Sequence, residues 1–364
     1  MSMYGIFVYT NPDGTTESSK VKQYQTYDEM VSDTHPGKYG IVLSSNTVYH
    51  RSNNEWIVGF PNVSKGDDYT AFEVYPNDTI IPVGESEILG GFVTEAIPVQ
   101  MTHRMYIRSF HAPTEQDVVV DWGDGTTATL NQFILGENVS DSTGEYRYTL
   151  EHTYTESKKY IVKIYGRRYW AILPDKSNVA TCGYNLMSRV FDTDLPIASH
   201  LYNLSSFCYG AIRLLNVDVL KGNFNSLNVQ NMSYTFCQCR NMLSASGFYY
   251  NDNINAEGNV FENCWALQYT DYQLHSTGGK PLCFHRCKKL AVPIENLLPR
   301  SFNDKSVNMD RCFNECGFLT GTIPANKLWE DTDVVFTNTS QCFRKTPVDL
   351  KAQAPVSWGG TLTE

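Results

Sequence analysis

The sequence predicts a multidomain, mainly β protein whose second half is a solenoid of stacked repeats. The pattern Phe-x-x-Cys-x-x-Leu/Met occurs four times between residues 236 and 319, and self-similarity at intervals of about 20 to 30 residues is typical of solenoids. Apolar residues make up 41% of the chain and charged residues 19%, a composition that supports several hydrophobic cores. A chain of 364 residues is therefore expected to form about two or three domains.

The first 60 residues are predicted to form a small α+β module. Alternation along residues 4–10 predicts a strand, and the spacing Thr26-x-x-Glu29 predicts a short capped helix. Residues 39–43 and 47–51 are predicted to pair as a hairpin. This order is similar to small modules near the N-termini of phage fibre proteins, which precede distal binding domains. A generic β meander is the alternative.

Residues 61–95 are predicted to be a connector, because turn-forming Gly, Pro, Asn and Asp recur along it. Within the connector, residues 69–75 have the composition of a strand. An isolated strand needs the edge of a sheet to pair with. We therefore expect this strand to pair with a partner chain.

Two signals about 30 residues apart characterise the next segment, residues 96–170. The first is Asp-Trp-Gly-Asp-Gly at 121–125, where Asp-Gly requires a tight turn with positive φ. The second is His152-x-Tyr154, followed by an alternating strand at 160–164. Together they resemble the PKD domain, which implies an immunoglobulin-like β-sandwich.

Within this segment, we expect Trp122 in the core. His152 and Tyr154 are expected to be structural residues that hold the turn by hydrogen bonds. A Ca²⁺ ion at Asp121 and Asp124 is the alternative, although two carboxylates fall short of the roughly six to eight oxygens that Ca²⁺ takes.

The repeats place Phe, Cys and an apolar residue at i, i+3 and i+6. This spacing predicts one apolar face of a short helical turn, which is buried only when neighbouring units stack. Degenerate copies are predicted at Phe207, with Gly210 at the cysteine position, and at Phe343, with Thr346 there. Residues 186–191 are interpreted as an imperfect first repeat whose outer face meets solvent. The four complete copies begin at Phe236, Phe261, Phe284 and Phe313.

These repeats resemble the BspA-type leucine-rich repeat of bacterial surface proteins and some phage proteins. The resemblance is best at 231–239 and 308–316, where Asn-Met precedes the Phe and Cys positions, and it covers about residues 182–350. It implies adhesion or ligand binding on an exposed surface, without catalysis. We assign residues 171–350 to a leucine-rich-repeat solenoid and residues 351–364 to a C-terminal cap or tail.

All ten cysteines lie within residues 182–342, and four of them share one repeat position. Small buried residues behave in this way in a ladder of equivalent positions. We expect reduced thiols in the core, because the N-terminal residues lack the features of a signal peptide and synthesis in a reducing cytosol follows. The even count leaves a disulfide framework as the alternative, and the pairs Cys283/Cys287 and Cys312/Cys316 leave a zinc site.

The charge distribution argues against nucleic acid as a partner. The net charge is −10, and residues 182–364 contain 15 Lys and Arg against 16 Asp and Glu, so nearly all the excess negative charge lies in the first half. Neither half is basic enough for a nucleic-acid-binding protein. No run of apolar residues has the length of a membrane span, so no membrane insertion is expected.

The sequence contains no recognisable catalytic constellation. The Gly-x-Ser-x-Gly, Walker and His-Glu-x-x-His patterns are absent. We therefore predict a protein without enzyme activity, metal or cofactor.

The residue after each repeat cysteine varies, which suggests exposure because the packing positions are uniform. We predict a carbohydrate- or protein-binding surface from these residues and nearby tyrosines, since Arg and Tyr are enriched at recognition surfaces. Ordinary solvated side chains are the alternative. The candidate surface comprises Arg240, Trp265, Lys288, Tyr249, Tyr250, Tyr269 and Tyr272.

The order of modules, with the resemblances, predicts a structural component of a phage virion, either a head fibre, a capsid decoration or a tail fibre. The N-terminal module and connector would dock on other virion proteins through aromatics such as Tyr39, Tyr49 and Trp56, and the repeats would bind a host-surface glycan or protein. Such a protein is made in the host cytoplasm, and repeated attachment points on a virion favour a homo-oligomer. The alternatives are a bacterial cell-surface adhesin with the same domains and an enzyme with a PKD accessory domain.

Overall fold

The computed structural model of the chain is mainly β. It describes residues 69–109, 118–129, 146–166, 169, 171–174, 185–222, 224, 227, 229–248, 253–275, 279–299, 302 and 306–362, together with the backbone of five strands before residue 69. Within these residues, no helix has the length and apolar character needed to cross a bilayer.

The first five strands form one sheet. They are β1 (Tyr4–Thr10), β2 (Thr16–Tyr24), β3 (Tyr39–Val42), β4 (Thr47–Ser52) and β5 (Glu55–Val58). Their order is β1-β2-β3-β4-β5, and only the β2–β3 pair is parallel. The predicted strand and hairpin are confirmed as β1 and as β3–β4. The sequence does not predict β2, because its polar residues show no apolar alternation, and the predicted helix at Thr26–Glu29 lies outside the described residues.

Two further sheets share one hydrophobic core, and we call them the two-sheet unit. Its strands are β6 (Tyr69–Val74), β9 (Thr102–Ser109), β10 (Val119–Asp121), β11 (Thr127–Thr129), β12 (Tyr146–Thr153), β13 (Tyr160–Tyr165), β14 (Ala171–Pro174) and β15 (Met187–Arg189). One sheet has the order β11-β10-β13-β6-β15, the other β12-β9-β14, and all neighbours are antiparallel. Residues along β9 alternate between buried and partly exposed, as expected of a strand with one face on the core.

Strand β6 lies inside the first of these sheets. It pairs with β13 along its whole length, and its other edge pairs with Met187 and Arg189 of β15. Its residues are buried from Thr70 to Val74. The prediction that this strand pairs with a partner chain is therefore wrong, because strands of its own chain occupy both edges. Composition identified a strand, but its neighbours are far away in the sequence and composition cannot name them.

After β6, the chain forms a small hairpin of β7 (Gly84–Ser86) and β8 (Gly91–Val93). The hairpin packs on the repeat region. Val93 lies in one small hydrophobic cluster with Ile212 and Leu215. The connector is therefore fastened to the second half of the chain.

Residues 203–358 form a stack of turns, which we call the repeat stack. Backbone N–H groups of each turn donate to carbonyls of the next turn, as Phe236 does to Val260 at 2.9 Å and Phe261 does to Cys283 at 2.8 Å. Short parallel strands also pair from turn to turn, in the orders β16-β17-β18 and β19-β20. These strands are β16 (Asn216–Asp218), β17 (Ser244–Ser246), β18 (Tyr269–Thr270), β19 (Ser306–Asn308) and β20 (Val335–Asn338). In the described part of the stack, the helical segments are 3-10 turns at Ile294–Asn296, Ala325–Lys327 and Val356–Trp358 and the α-helix α1 at Val348–Lys351.

The repeat Phe side chains form one column of stacked rings inside the stack. Neighbouring Phe rings have centroids 5.3 to 5.6 Å apart and planes within 8 to 11° of each other. Every Phe of the column is buried, which confirms the prediction of burial and contact between successive repeats. A tryptophan from the C-terminal tail ends the column. In order, the column comprises Phe236, Phe261, Phe284, Phe313, Phe343 and Trp358.

Each repeat is a series of tight turns. The N–H of Cys239 donates to the Phe236 carbonyl, and the N–H of Met242 donates to the Cys239 carbonyl, so bonds that span three residues produce the predicted apolar face. The predicted helical conformation is wrong. Tyr234 and Gln238, two positions before and after the Phe, adopt φ of 60° and 64°, which a right-handed helix does not contain. Their N–H groups bond to the next turn instead.

The first turn of the stack is shifted by one residue from the predicted alignment. The N–H of Cys208 donates to the Thr235 carbonyl, the bond that the repeat Phe makes in the later turns. Cys208 therefore occupies the Phe position, and Ala211 occupies the cysteine position. The predicted copy with Phe207 and Gly210 is wrong. This turn has no Phe at the Phe position and no Cys at the cysteine position, so a search for the Phe-Cys pattern cannot find its register.

The predicted imperfect first repeat, residues 186–191, belongs to the two-sheet unit instead. Its strand β15 forms the edge of the first sheet, and the N–H of Tyr75 donates to the Leu186 carbonyl at 2.9 Å. Phe72 of β6 packs edge-on against Phe207, with centroids 6.1 Å apart. The two-sheet unit and the repeat stack thus share one core. The expectation that this end of the stack faces solvent is wrong.

The nine cysteines in the described part of the chain are buried and form no disulfide. Four repeat thiols donate to a carbonyl of the preceding turn: Cys239 to Cys208, Cys264 to Phe236, Cys287 to Phe261 and Cys316 to Phe284, at 3.0 to 3.1 Å. The prediction of reduced packing thiols is confirmed for these residues. Their hydrogen bonds are an additional feature that the sequence did not predict.

Candidate functional site

A row of charged and aromatic side chains runs along one side of the repeat stack, at the position after each repeat cysteine. Arg240, Trp265 and Lys288 belong to three successive turns. Arg240 Cζ lies 4.6 Å from the centroid of the Trp265 ring, and Lys288 Nζ lies 4.9 Å from it. The two cations come from the turns before and after that of Trp265, and both contact its ring. The structure therefore brings three predicted site residues together.

Lys289 and Phe318 extend this row at the next repeat position. Lys289 Nζ lies 5.1 Å from the centroid of the Phe318 ring, which is 54% exposed. The sequence analysis missed both residues because it compared only the single position after each cysteine. The five residues that we call the cationic ridge are Arg240, Trp265, Lys288, Lys289 and Phe318.

The ridge carries positive charge that few carboxylates offset. Lys288 and Lys289 are exposed, and among the described residues neither has a carboxylate within ion-pair distance. Arg240 lies 3.4 Å from Glu95, whose side chain is 44% exposed. Asn241 holds Glu95 in place, because its side-chain oxygen accepts the Glu95 N–H at 2.6 Å. The ridge is therefore a locally positive surface on a protein of net charge −10.

Of the four predicted site tyrosines, the structure describes two. Tyr269 begins β18 and is 50% exposed. Tyr272 is 1% exposed, and its hydroxyl donates to Glu257 Oε2 at 2.8 Å. The prediction that Tyr272 lies on an exposed surface is wrong, because the chain turns into the core after β18. Tyr249 and Tyr250 lie outside the described residues.

Tyr272 belongs to a buried polar cluster that the sequence analysis missed. Glu257 and Lys280 are completely buried, and Lys280 Nζ lies 2.7 Å from Glu257 Oε1. His275 Nδ1 lies 2.9 Å from the other oxygen, Oε2. Burial alone would raise the pKa of Glu257, but hydrogen bonding and charge from His275 and Lys280 hold that pKa below its usual value.

The repeat alignment contains the signal that could have found this pair. Glu257 and Lys280 each stand four residues before their repeat Phe, the position that Met232 and Met309 hold in the turns on either side. Two opposite charges thus replace apolar residues at equivalent positions in adjacent turns. Because equivalent positions of adjacent turns lie next to each other, the two substitutions face and neutralise one another.

The turn at residues 121–125 is held as predicted. The His152 ring stacks on Trp122, with centroids 4.9 Å apart, and its Nε2 lies 2.7 Å from Asp124 Oδ2. Tyr154 Oη donates to the Trp122 carbonyl at 3.1 Å. The other oxygen of Asp124 accepts the Thr126 N–H at 3.0 Å. The structural roles predicted for Trp122, His152 and Tyr154 are confirmed, and the turn itself uses both Asp124 oxygens.

The predicted docking aromatics lie on the N-terminal sheet. Tyr39 is in β3, Tyr49 in β4 and Trp56 in β5, with Tyr49 opposite Gly40 and Trp56 opposite Arg51 in the strand pairs. Their side chains lie outside the described residues, so their role in docking stays a prediction.

No metal centre is present in the part of the chain that the structure describes, where no three His, Cys, Asp or Glu side chains are grouped to hold an ion. Comparisons of the chain with protein-family models, curated proteins and solved structures give no significant match. Its function is therefore inferred from its own residues.

Proposed function

We propose that the protein is a structural component of a phage virion, a head fibre, capsid decoration or tail fibre, whose repeat stack binds a host-surface glycan or protein. The observation that carries this proposal is the cationic ridge. Its lysines and Phe318 are exposed, and the core of the stack does not include them. Arginine and aromatic residues on an exposed, rigid surface are typical of recognition sites.

The division of the chain into parts supports this proposal. We assign the two-sheet unit to a PKD-like, immunoglobulin-like sandwich, which is supported by its antiparallel sheets and by the turn that His152 and Tyr154 hold. We assign the repeat stack to a BspA-type leucine-rich-repeat solenoid, which is supported by parallel strands that pair from turn to turn. In this arrangement the N-terminal module docks on the particle, the sandwich is a spacer, and the solenoid faces the host.

Purified particles test the docking role. A variant that lacks residues 1–68 is expected to fold, because the cut precedes β6, and to be absent from particles. A cut after residue 95 is unsuitable, since it removes β6 from between β13 and β15 and so impairs folding. Normal incorporation of the shorter protein would contradict N-terminal docking. If the full-length protein were found on bacterial cells but not in particles, the adhesin alternative would be favoured.

Adsorption to host cells tests the binding role. Particles that carry Lys288→Ala and Lys289→Ala are expected to adsorb at least about tenfold more weakly, because both exposed lysines of the ridge are removed. The matched control is Lys158→Ala with Lys221→Ala, two exposed cations away from the ridge. Equal adsorption of both variants and the wild type would contradict a binding role for the ridge.

A further inference from the structure

We infer that the ligand of the cationic ridge is an acidic polysaccharide, whose sugars carry carboxylate, sulfate or phosphate groups. This inference rests on the proposed binding role of the ridge and names the class of ligand. Its starting point is the geometry around Trp265.

Trp265 does not offer an open ring to a neutral sugar, because it is partly buried and two cations lie over it. Proteins commonly recognise neutral sugars by stacking them on an open aromatic ring. Arg240 and Lys288 both lie over the Trp265 ring, 4.6 Å and 4.9 Å from its centroid. Cation–π contacts of this kind hold charged groups in place. Trp265 therefore positions two cations along the stack, and the charges themselves are what the ridge presents.

The neighbouring residues leave this positive charge in excess. Lys345 lies 3.0 Å and Arg286 3.6 Å from a single carboxylate, that of Glu315. Lys288 and Lys289 lack any carboxylate partner among the described residues. On a molecule of net charge −10, such a patch attracts anions while the rest of the surface repels them.

The spacing of the charges favours a linear, sparsely charged ligand. The cations come from turns that follow one another along the stack, and the uncharged Trp265 lies between Arg240 and Lys288. Duplex DNA presents about one charge per 1.7 Å of axis, which is a higher charge density than that of the ridge. The acidic remainder of the protein would also repel DNA. Phe318, beside Lys289 and half exposed, offers an apolar face to the C–H groups of a sugar ring.

Binding of defined polymers to the full chain tests the inference. Biolayer interferometry would compare polygalacturonic acid and hyaluronic acid with neutral dextran and duplex DNA. We expect the two acidic polysaccharides to bind, and the affinity to fall when NaCl is raised from about 50 to about 300 mM, because salt screens exposed charges. Lys288→Gln with Lys289→Gln should weaken binding at least tenfold.

The matched control is Lys158→Gln with Lys221→Gln, which changes the net charge equally at two exposed lysines away from the ridge. This control should bind as the wild type does. The inference would be overturned if both variants lost the same amount of affinity, or if neither acidic polysaccharide bound. It would also be overturned if neutral dextran or DNA bound more tightly than the acidic polysaccharides. A failure of this binding test would leave the proposed virion role standing. A virion protein that binds a host protein would pass the particle assays and fail only the polysaccharide test.

Discussion

At the scale of single residues, the repeat cysteine combines two roles. Cys264, Cys287 and Cys316 are fully buried, and each thiol donates to the carbonyl of the preceding Phe in the column. Buried carbonyls need a donor, and here a side chain supplies it. Alanine would fill the space less well and would leave that carbonyl without this partner.

Thiol labelling checks the state of the cysteines. Burial raises the pKa of the thiols of Cys264, Cys283 and Cys287, so little reactive thiolate is present at neutral pH. We expect slow labelling of the native protein and close to ten labelled thiols in denaturant without reductant. Two or fewer labelled thiols would show a disulfide framework instead.

The turn at Asp124 should make stability depend on acid pH. Burial alone would raise the pKa of Asp124, but hydrogen bonds from Thr126 and His152 lower it below its usual value. A carboxylate with a lowered folded pKa stabilises the fold above its unfolded pKa, and this contribution is lost as the pH falls through the folded pKa. Asp124→Asn should therefore be destabilising at pH 7, and its difference from the wild type should shrink below about pH 4.

Urea unfolding at several pH values measures this effect. The exposed Glu87→Gln is a suitable control, since Glu87 makes no described hydrogen bond or ion pair. A constant difference between Asp124→Asn and the wild type across the acid range would contradict the assignment.

At the scale of the repeat, the column of rings determines the stability of each turn. Phe313 is fully buried between Phe284 and Phe343, with a ring 5.6 Å away on each side. Phe313→Ala leaves a cavity that neighbouring turns cannot close, so we expect a loss of about 3–5 kcal/mol in urea unfolding. Phe318→Ala, at a half-exposed ring, should cost much less. Similar stabilities for both variants would contradict stacking as the source of stability.

The buried pair Glu257 and Lys280 predicts a pattern of non-additive substitutions. Glu257→Met or Lys280→Met alone leaves a buried charge without its partner, at an expected cost of about 3–5 kcal/mol. The double substitution removes both charges and gives four adjacent turns Met at this position, so it should be more stable than either single variant. It should stay below the wild type, because the buried Tyr272 and His275 lose their hydrogen bonds to Glu257. Chemical denaturation of the four proteins measures the coupling. A double variant as unstable as the single variants would show that the pair itself stabilises the stack.

At the scale of the whole molecule, the two-sheet unit and the repeat stack should unfold together. Their side chains belong to one core, and β15 joins the first sheet directly before the stack begins. We expect residues 69–362 to unfold in one calorimetric transition. Val162→Ala in β13 should raise hydrogen exchange around Phe284 as much as around β9. Two separate transitions, or exchange confined to the sheets, would contradict the shared core.

The sequence predicted features that depend on local pattern. The burial of the repeat Phe and Cys residues and the turn around Asp124 follow from spacing within a few residues. The pairing of β6, the register at Cys208 and the burial of Tyr272 depend on neighbours that are distant in the chain, and a single sequence does not report them. The cationic ridge was found in part, because Arg240, Trp265 and Lys288 share a repeat position whereas Phe318 and Lys289 lie at the next one.

The repeats are covered at both ends by elements that are not repeats, the turn at Trp358 and the edge of the two-sheet unit. At the C-terminal end, the Trp358 carbonyl accepts the N–H of Phe343 at 2.9 Å and so replaces the carbonyl of a further turn. At the other end, the sheet edge at β15 adjoins the first turn. Uncovered ends of such a stack would be templates for joining molecule to molecule. Copies crowded at high density can therefore stand side by side without polymerising end to end into fibrils.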